Sequence, residues 1–422
     1  MTAKIINLDQ ETNLSTSQRK LQEVQKLLLK QGKYRYNVAT NVVEHLPSKG
    51  KAWSQVDEKT LLHLARKSLP MEVGGEYIND LLSSKCFAKP YNPITECLER
   101  LETQAFSLPF EKYDPFGNLS MFVVLKNDTE EEVQRFDRAL KSFFVTAVRC
   151  IYEPYHAPKQ CLSLMGGQSI GKTPFLLSLL PTELLTFWKK IGDCSTKDTN
   201  IALTSNIFCI IDEIDDWLKN PNNRYNYKAF FSTTQVNERL PYGKTPVKRQ
   251  RIASFVATCN TADFLNDPTG TTRWVVFEID GFVNKKTHSK YAKLPFNCQD
   301  VKFRSVVEAC WGEAMRMYKD GYDCELSDNE LGQNEHLNEK YKYNSMEFEL
   351  LAQHLSSSEK NEAGSEFMTA TQICQYLNSL QDDVKFTSAK LGKALVRCGF
   401  EKKQRRINQS CPYGYYVKKI TN

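Results

Sequence analysis

The eight residues Gly166-Gly167-Gln168-Ser169-Ile170-Gly171-Lys172-Thr173 match the spacing G-x-x-x-x-G-K-[ST] at every fixed position and follow the strand-like run Gln160-Cys161-Leu162-Ser163-Leu164-Met165. Glycines let successive backbone N–H groups turn toward one point, and a helix starting at the end of the loop adds positive potential there. A loop of this kind cradles the phosphates of a nucleotide. Lys172 would neutralise charge on the β and γ phosphates and Thr173 would offer a hydroxyl to Mg²⁺, so ATP and Mg²⁺ are the expected ligands. Pro174 is compatible with a helix start, because proline in the first turn gives up an N–H that has no partner there.

Three later segments end in residues that suit the same chemistry. Ile207-Phe208-Cys209-Ile210-Ile211 is an apolar strand running into Asp212-Glu213. In this position Asp212 would hold the metal and Glu213 would orient and deprotonate the attacking water. Ser254-Phe255-Val256-Ala257-Thr258-Cys259 is a buried-type strand ending in Asn260, whose amide is expected to sense the γ-phosphate or the water. Finally, Thr271-Thr272-Arg273 leads into the strand Trp274-Val275-Val276-Phe277-Glu278-Ile279. Arg273 is expected to reach a neighbouring subunit's nucleotide; the plainer alternative is an arginine that caps a strand or pairs with Asp267.

These residues have to be held by an ordered scaffold, and the chain is long enough to build one. Its 422 residues, 41% of them hydrophobic, allow about three domains. Residues 1–150 read as a mostly helical accessory domain: an amphipathic helix over 14–31, a hairpin made by 34–38 and 42–44, then broken helical segments. Residues 151–325 alternate short β-rich runs with helices, the pattern of a parallel α/β sheet. Residues 326–366 read as a helical and polar linker. In 367–422, two helices and a terminal hairpin give the layout of a winged helix. The fold class expected is therefore α/β, with a P-loop sheet core between a helical N-terminal domain and a small C-terminal winged-helix domain.

Charge and cysteine content narrow the setting. The net charge of +6 is small for this length, yet residues 385–422 carry ten basic residues against Glu401 alone. Lys390, Lys393 and Arg397 recur at three and four residues on one helix face, as a helix reading a DNA groove would have them. A protein-interaction module is the alternative for that region. The thirteen cysteines form no Cys-x-x-Cys pair, which points away from zinc and toward a reducing compartment. With no secretory start and no apolar run near 20 residues, a cytoplasmic location off the membrane is expected. No His-x-x-x-His or similar cluster exists, and none of the six histidines is assigned a catalytic role.

Taken together, the phosphate loop, the Asp-Glu strand, the Thr-x-Asn strand, Phe264-Leu265-Asn266-Asp267-Pro268-Thr269-Gly270 and the Arg-Trp strand resemble the virulence-associated E protein family. These are AAA+ type ATPases similar to superfamily 3 helicases, encoded by phages, plasmids and genomic islands. The resemblance spans about 90–320, and the hairpin and aromatic terminal strand look like those of Bacteroides-type members. Members commonly carry two arginines before the aromatic residue where this chain has Thr272-Arg273, which leaves Arg273 alone in the finger role.

The resemblance implies a ring, expected to be a hexamer, moving on single- or double-stranded DNA during replication of a mobile element. A primase would be a separate partner, since no such domain is visible. It also implies that the basic segment 237–251 is a hairpin projecting into the ring channel. Lys244 is the first candidate there for contact with nucleic acid, followed by Lys248, Arg249 and Arg251, with Tyr242 able to stack on bases. A merely solvated basic hairpin is the alternative. A DNA-binding initiator that uses ATP for assembly without unwinding is the rival function; a small-substrate phosphotransferase is a weaker one.

Overall fold

The computed structural model describes residues 15–105, 114–238, 246–262, 264–265, 271–283, 299–341, 346–380, 388–406 and 411–420. The chain divides into two compact units, one made of 1–260 and 272–332, the other of 261–271 and 333–422.

The first unit is built on a six-stranded sheet. Its spatial order is Val123–Leu125, Trp274–Phe282, Cys161–Met165, Ser254–Cys259, Phe208–Ile211, Trp188–Lys190. Neighbours from Trp274–Phe282 onward pair in parallel, and Val123–Leu125 is an antiparallel edge. Cys161–Met165, Phe208–Ile211 and Ser254–Cys259 are buried at every position, as strands covered on both faces must be. All five parallel strands put their C-termini at one end of the sheet, so the loops that follow them gather there.

The helix Glu130–Tyr152 starts at Thr129, whose hydroxyl accepts from Glu132 N, and carries three glutamates in its first turn. Its apolar face lies on the sheet: Phe136 meets Phe277 edge to face at 4.8 Å and Phe143 lies 5.2 Å from Phe208. Phe144 packs on Trp311 of the helix Val301–Lys319. The helical segment before residue 150 is thus part of the sheet's own core, and the division expected at 150 is absent. A stripe of apolar residues at helical spacing marks a buried face without saying what covers it.

Ahead of this core, Ser15 and Gln18 form a capping box for the helix Thr16–Gln31. The antiparallel hairpin of Gly32–Asn37 and Val42–Pro47 follows, close to its expected place. Lys89–Tyr91 adds to it in parallel.

In the second unit, the helices Ala370–Ser379 and Ser388–Arg397 precede Lys403–Gln404 and Tyr413–Lys419, which pair antiparallel. Leu355–Ser357 and Glu366–Met368 pair with Tyr413–Lys419 as well. The polar stretch read as part of a linker is therefore the loop between two strands of this sheet. Its pairing partner lies some fifty residues further on, where local composition gives no hint of it. The helix Met346–His354 completes this core through Leu350 and Leu351.

No disulfide joins the described cysteines. Among the described residues no helix is long and apolar enough to cross a membrane.

Candidate functional site

The loop after Met165 turns through two backbone features that glycine makes possible. A Cβ on Gly166 would stand 2.4 Å from the Ile279 carbonyl oxygen, so only glycine fits against the neighbouring strand. Gly171 has φ 100°, ψ 19° and sits directly before the helix Lys172–Ser178.

Lys172 is only 6% exposed, and its ammonium donates to Gly166 O at 2.7 Å, Gly167 O at 2.7 Å and Asn260 Oδ1 at 2.9 Å. Burial lowers its pKa, opposed by the nearby Cys259, Asp215, Asp212 and Glu213. Asn260 also donates through Nδ2 to Glu213 Oε1 at 3.2 Å, so one amide links the lysine to the glutamate. Both ends of that amide are satisfied in the same orientation.

Asp212 is held from three sides. Its Oδ1 accepts from Thr173 at 2.8 Å and Thr258 at 2.9 Å, and its Oδ2 accepts from Lys190 at 2.8 Å. Burial would raise its pKa, but these bonds outweigh that and hold it below the usual carboxylate range. Glu213 adopts φ 61°, ψ 73°, a left-handed conformation unusual for a side chain of its size. Its N–H donates to Thr258 Oγ1 at 3.0 Å, which helps to hold that conformation. The order of the strands explains the grouping. Ser254–Cys259 lies between Cys161–Met165 and Phe208–Ile211, so Asn260 and Thr258 stand between the glycine loop and the Asp-Glu pair.

Gln168, Ser169 and Ile170 form the outer part of the loop, with Ser169 at φ 62°. As for a metal, Thr173 and Asp212 offer hard oxygen donors side by side, and among the described residues no group of three or more His, Cys, Asp or Glu is placed to hold a metal ion. This donor set fits Mg²⁺, which takes one or two protein oxygens and fills its octahedron with phosphate oxygens and water.

Arg273 stands apart from this cluster. Its carbonyl accepts from Cys161 N at 2.7 Å, at the start of the strand whose far end carries the glycine loop. The four steps from Cys161 to Met165 span about 13 Å, so Arg273 and Lys172 lie at opposite ends of the sheet. The side chain is half-buried, and its Nε has no hydrogen-bond partner. Asp267, the alternative partner, lies outside the described residues.

The basic segment divides. Gln235–Glu238 and Val247–Gln250 pair antiparallel, as a hairpin base should, while Lys244 and its turn lie outside the described residues. Lys248 is exposed and Arg249 half-buried, donating to Val38 O at 3.4 Å. Arg251 corrects the expectation of nucleic-acid contact: it is fully buried, donating to the carbonyls of Ala253, Phe231 and Thr233 and lying 4.5 Å over the Phe255 ring. No external phosphate reaches it there. Lys390, Lys393 and Arg397 lie on the helix Ser388–Arg397, and their side chains lie outside the described residues. Lys190 and Thr258 are site residues to which the sequence assigns no role, and Thr258 lies two residues before Asn260 on a strand that is legible. Lys190 sits on an exposed three-residue strand with no periodic signal.

The fold is mixed α/β, organised on a largely parallel sheet with polar residues gathered at one end. Residues 120–343, more than half of the chain, match the virulence-associated protein E-like domain, and the chain belongs to that family. Among solved structures, the C-terminal region of NrS-1 is 12% identical, with 94% of this chain and 99% of that one covered at a TM-score of 0.41. The SCCmec type IV Cch active helicase is also 12% identical, with 92% of each chain covered and a TM-score of 0.34. No curated protein matches the sequence.

Proposed function

We propose that this chain is an Mg²⁺-dependent ATPase, a ring-forming motor that acts on DNA in the replication of a phage, plasmid or genomic island. The observation that carries this reading is the single hydrogen-bonded cluster of Lys172, Thr173, Asp212, Glu213 and Asn260 at the C-terminal end of the sheet. In the proposed cycle Lys172 exchanges its two carbonyl acceptors for oxygens of the β and γ phosphates. The loop 166–171 presents its backbone N–H groups to the same phosphates. Thr173 and Asp212 would hold Mg²⁺, which would supply positive charge against the β and γ phosphates. Glu213 takes the proton of the attacking water, and Asn260 aligns that carboxylate.

Arg273 lies too far along the sheet to serve its own subunit's site, which supports its action on a neighbour. A contact joining one end of this sheet to the opposite end of the next copy is head-to-tail, the kind that closes into a ring. Lys248, with Lys244 and Arg249, would follow the DNA backbone. The helix Ser388–Arg397, with Lys390, Lys393 and Arg397, would add duplex contacts.

The decisive experiment is an ATPase assay with and without single-stranded DNA, run on the wild type and on Lys172→Ala. Hydrolysis that DNA stimulates and Lys172→Ala abolishes is expected. Equal rates in the two proteins would overturn the nucleotide reading. DNA-bound but unstimulated hydrolysis would favour an assembly switch over a motor.

A further inference from the structure

Lys190 is the last residue of the edge strand Trp188–Lys190 and lies opposite Ile210 in the parallel register with Phe208–Ile211. From there its ammonium reaches Asp212 Oδ2 at 2.8 Å, while Oδ1 of the same carboxylate is taken by Thr173 and Thr258. The adjacent Lys189 faces the other side of the strand, as the two-residue period requires. The Lys190 side chain is 61% exposed and that of Asp212 only 23%, so the lysine can leave for solvent and the carboxylate cannot.

We propose that Lys190 sets the divalent-cation affinity of this site by competing for Asp212. The inference rests on the Mg²⁺–ATP reading above and adds a residue that works against metal loading. A divalent cation entering beside Thr173 meets an ammonium already paired with the carboxylate it needs. If the ammonium stays, the two cations repel; if it leaves, the ion pair is lost. Either way the metal binds more weakly than it would to Thr173 and Asp212 alone, and the phosphates of a nucleotide must supply the missing negative charge. Metal therefore enters with nucleotide and not ahead of it. Because Lys190 is exposed, the effect should be modest, at the upper end of what a surface ion pair contributes.

The test measures Mn²⁺ binding by electron paramagnetic resonance, in the presence of the β,γ-imido analogue of ATP. Lys190→Met should bind Mn²⁺ about fivefold more tightly than the wild type, the shift that removing a partly exposed ion pair allows. Lys190→Arg keeps a cation at this position and should stay within about twofold of the wild type. Lys189→Met removes the same charge from the opposite face and should also stay within about twofold, since screening weakens a charge not in contact. An unchanged or weaker affinity in Lys190→Met overturns the proposal, as does an equal shift in Lys189→Met, which would reduce the effect to net charge. If the wild type binds the analogue but Lys190→Met shows no shift, the competition alone fails. If the wild type binds neither analogue nor Mn²⁺, the nucleotide reading fails and this inference with it.

Discussion

The two ends of the parallel sheet handle charge in opposite ways. At the C-terminal end, Lys172, Lys190, Asp212, Glu213 and Asn260 take one another's side chains as partners, with only two backbone carbonyls involved. At the N-terminal end, Arg251 is tied to three backbone carbonyls, and the half-buried Arg273 has a buried Nε with no partner. The exposed Lys190 can leave Asp212 by rotating a few side-chain bonds, whereas Arg251 is fully buried and its guanidinium cannot swing to solvent unless the surrounding core opens. One end thus holds an ion pair that solvent can reach. The other combines a fixed staple with an arginine whose donors are not all used.

The largest expected effect tests whether these ends work together across subunits. Arg273→Ala should lower ATP turnover by about 10³ to 10⁵, the range for an arginine finger acting in trans, with ATP affinity nearly unchanged. Mixing Arg273→Ala with Lys172→Ala subunits should restore part of the activity, because some interfaces then combine an intact loop with an intact finger. Mixed oligomers as inactive as either parent would return Arg273 to a role within its own subunit.

At the C-terminal end, Glu213→Gln should cut turnover by about 10² to 10⁴, the usual contribution of a positioned general base. Equilibrium binding of ATP should persist, as measured by fluorescence titration. Loss of binding would mean that Glu213 holds the nucleotide and does not act on the water.

The staple is tested by stability. Arg251→Met leaves three carbonyls without their donor and should cost about 3 kcal/mol or more by urea unfolding, at roughly 1–3 kcal/mol for each buried acceptor left unsatisfied. Lys172→Met should cost about 1 kcal/mol, since two of its three acceptors lie in the glycine loop at the edge of solvent. Equal losses would erase the distinction between the two ends. The smallest effect belongs to Lys248→Ala, which should reduce the log–log salt slope of DNA binding by about one.

What the sequence made legible follows the same divide. Gly166 to Thr173, Asp212, Glu213 and Asn260 stood out because their types and spacing at strand ends match those expected of a phosphate loop, and the structure brings Lys172, Thr173, Asp212, Glu213 and Asn260 close together. Arg251 was misplaced because a basic run gives no sign of which cation the tertiary fold turns inward. Lys190 was missed because its closeness to Asp212 depends on strand order, and Trp188–Lys190 becomes a neighbour of Phe208–Ile211 only once the sheet has formed. The helical character of the stretch before residue 150 is legible but not its place, since helical periodicity names a buried face and not its cover, and the helix Glu130–Tyr152 packs on the sheet.

The division of the chain also bears on its synthesis. Residues 261–271 lie between Asn260 and Arg273 in sequence but belong to the second unit. There Leu265 N donates to Tyr341 O at 2.9 Å, Asn338 Nδ2 donates to Thr271 O at 3.1 Å, and Phe264 stacks on Tyr341 at 5.7 Å. On the ribosome, Tyr341 emerges about seventy residues after Thr271, several seconds later at about 5–20 residues per second. Over that interval the strand Trp274–Phe282 can join Cys161–Met165 while the segment before it still lacks its partners. The described residues between Asn260 and Arg273 therefore wait for partners some seventy residues further along the chain, and a translational pause between residues 271 and 341 would lengthen their exposure to chaperones and proteases.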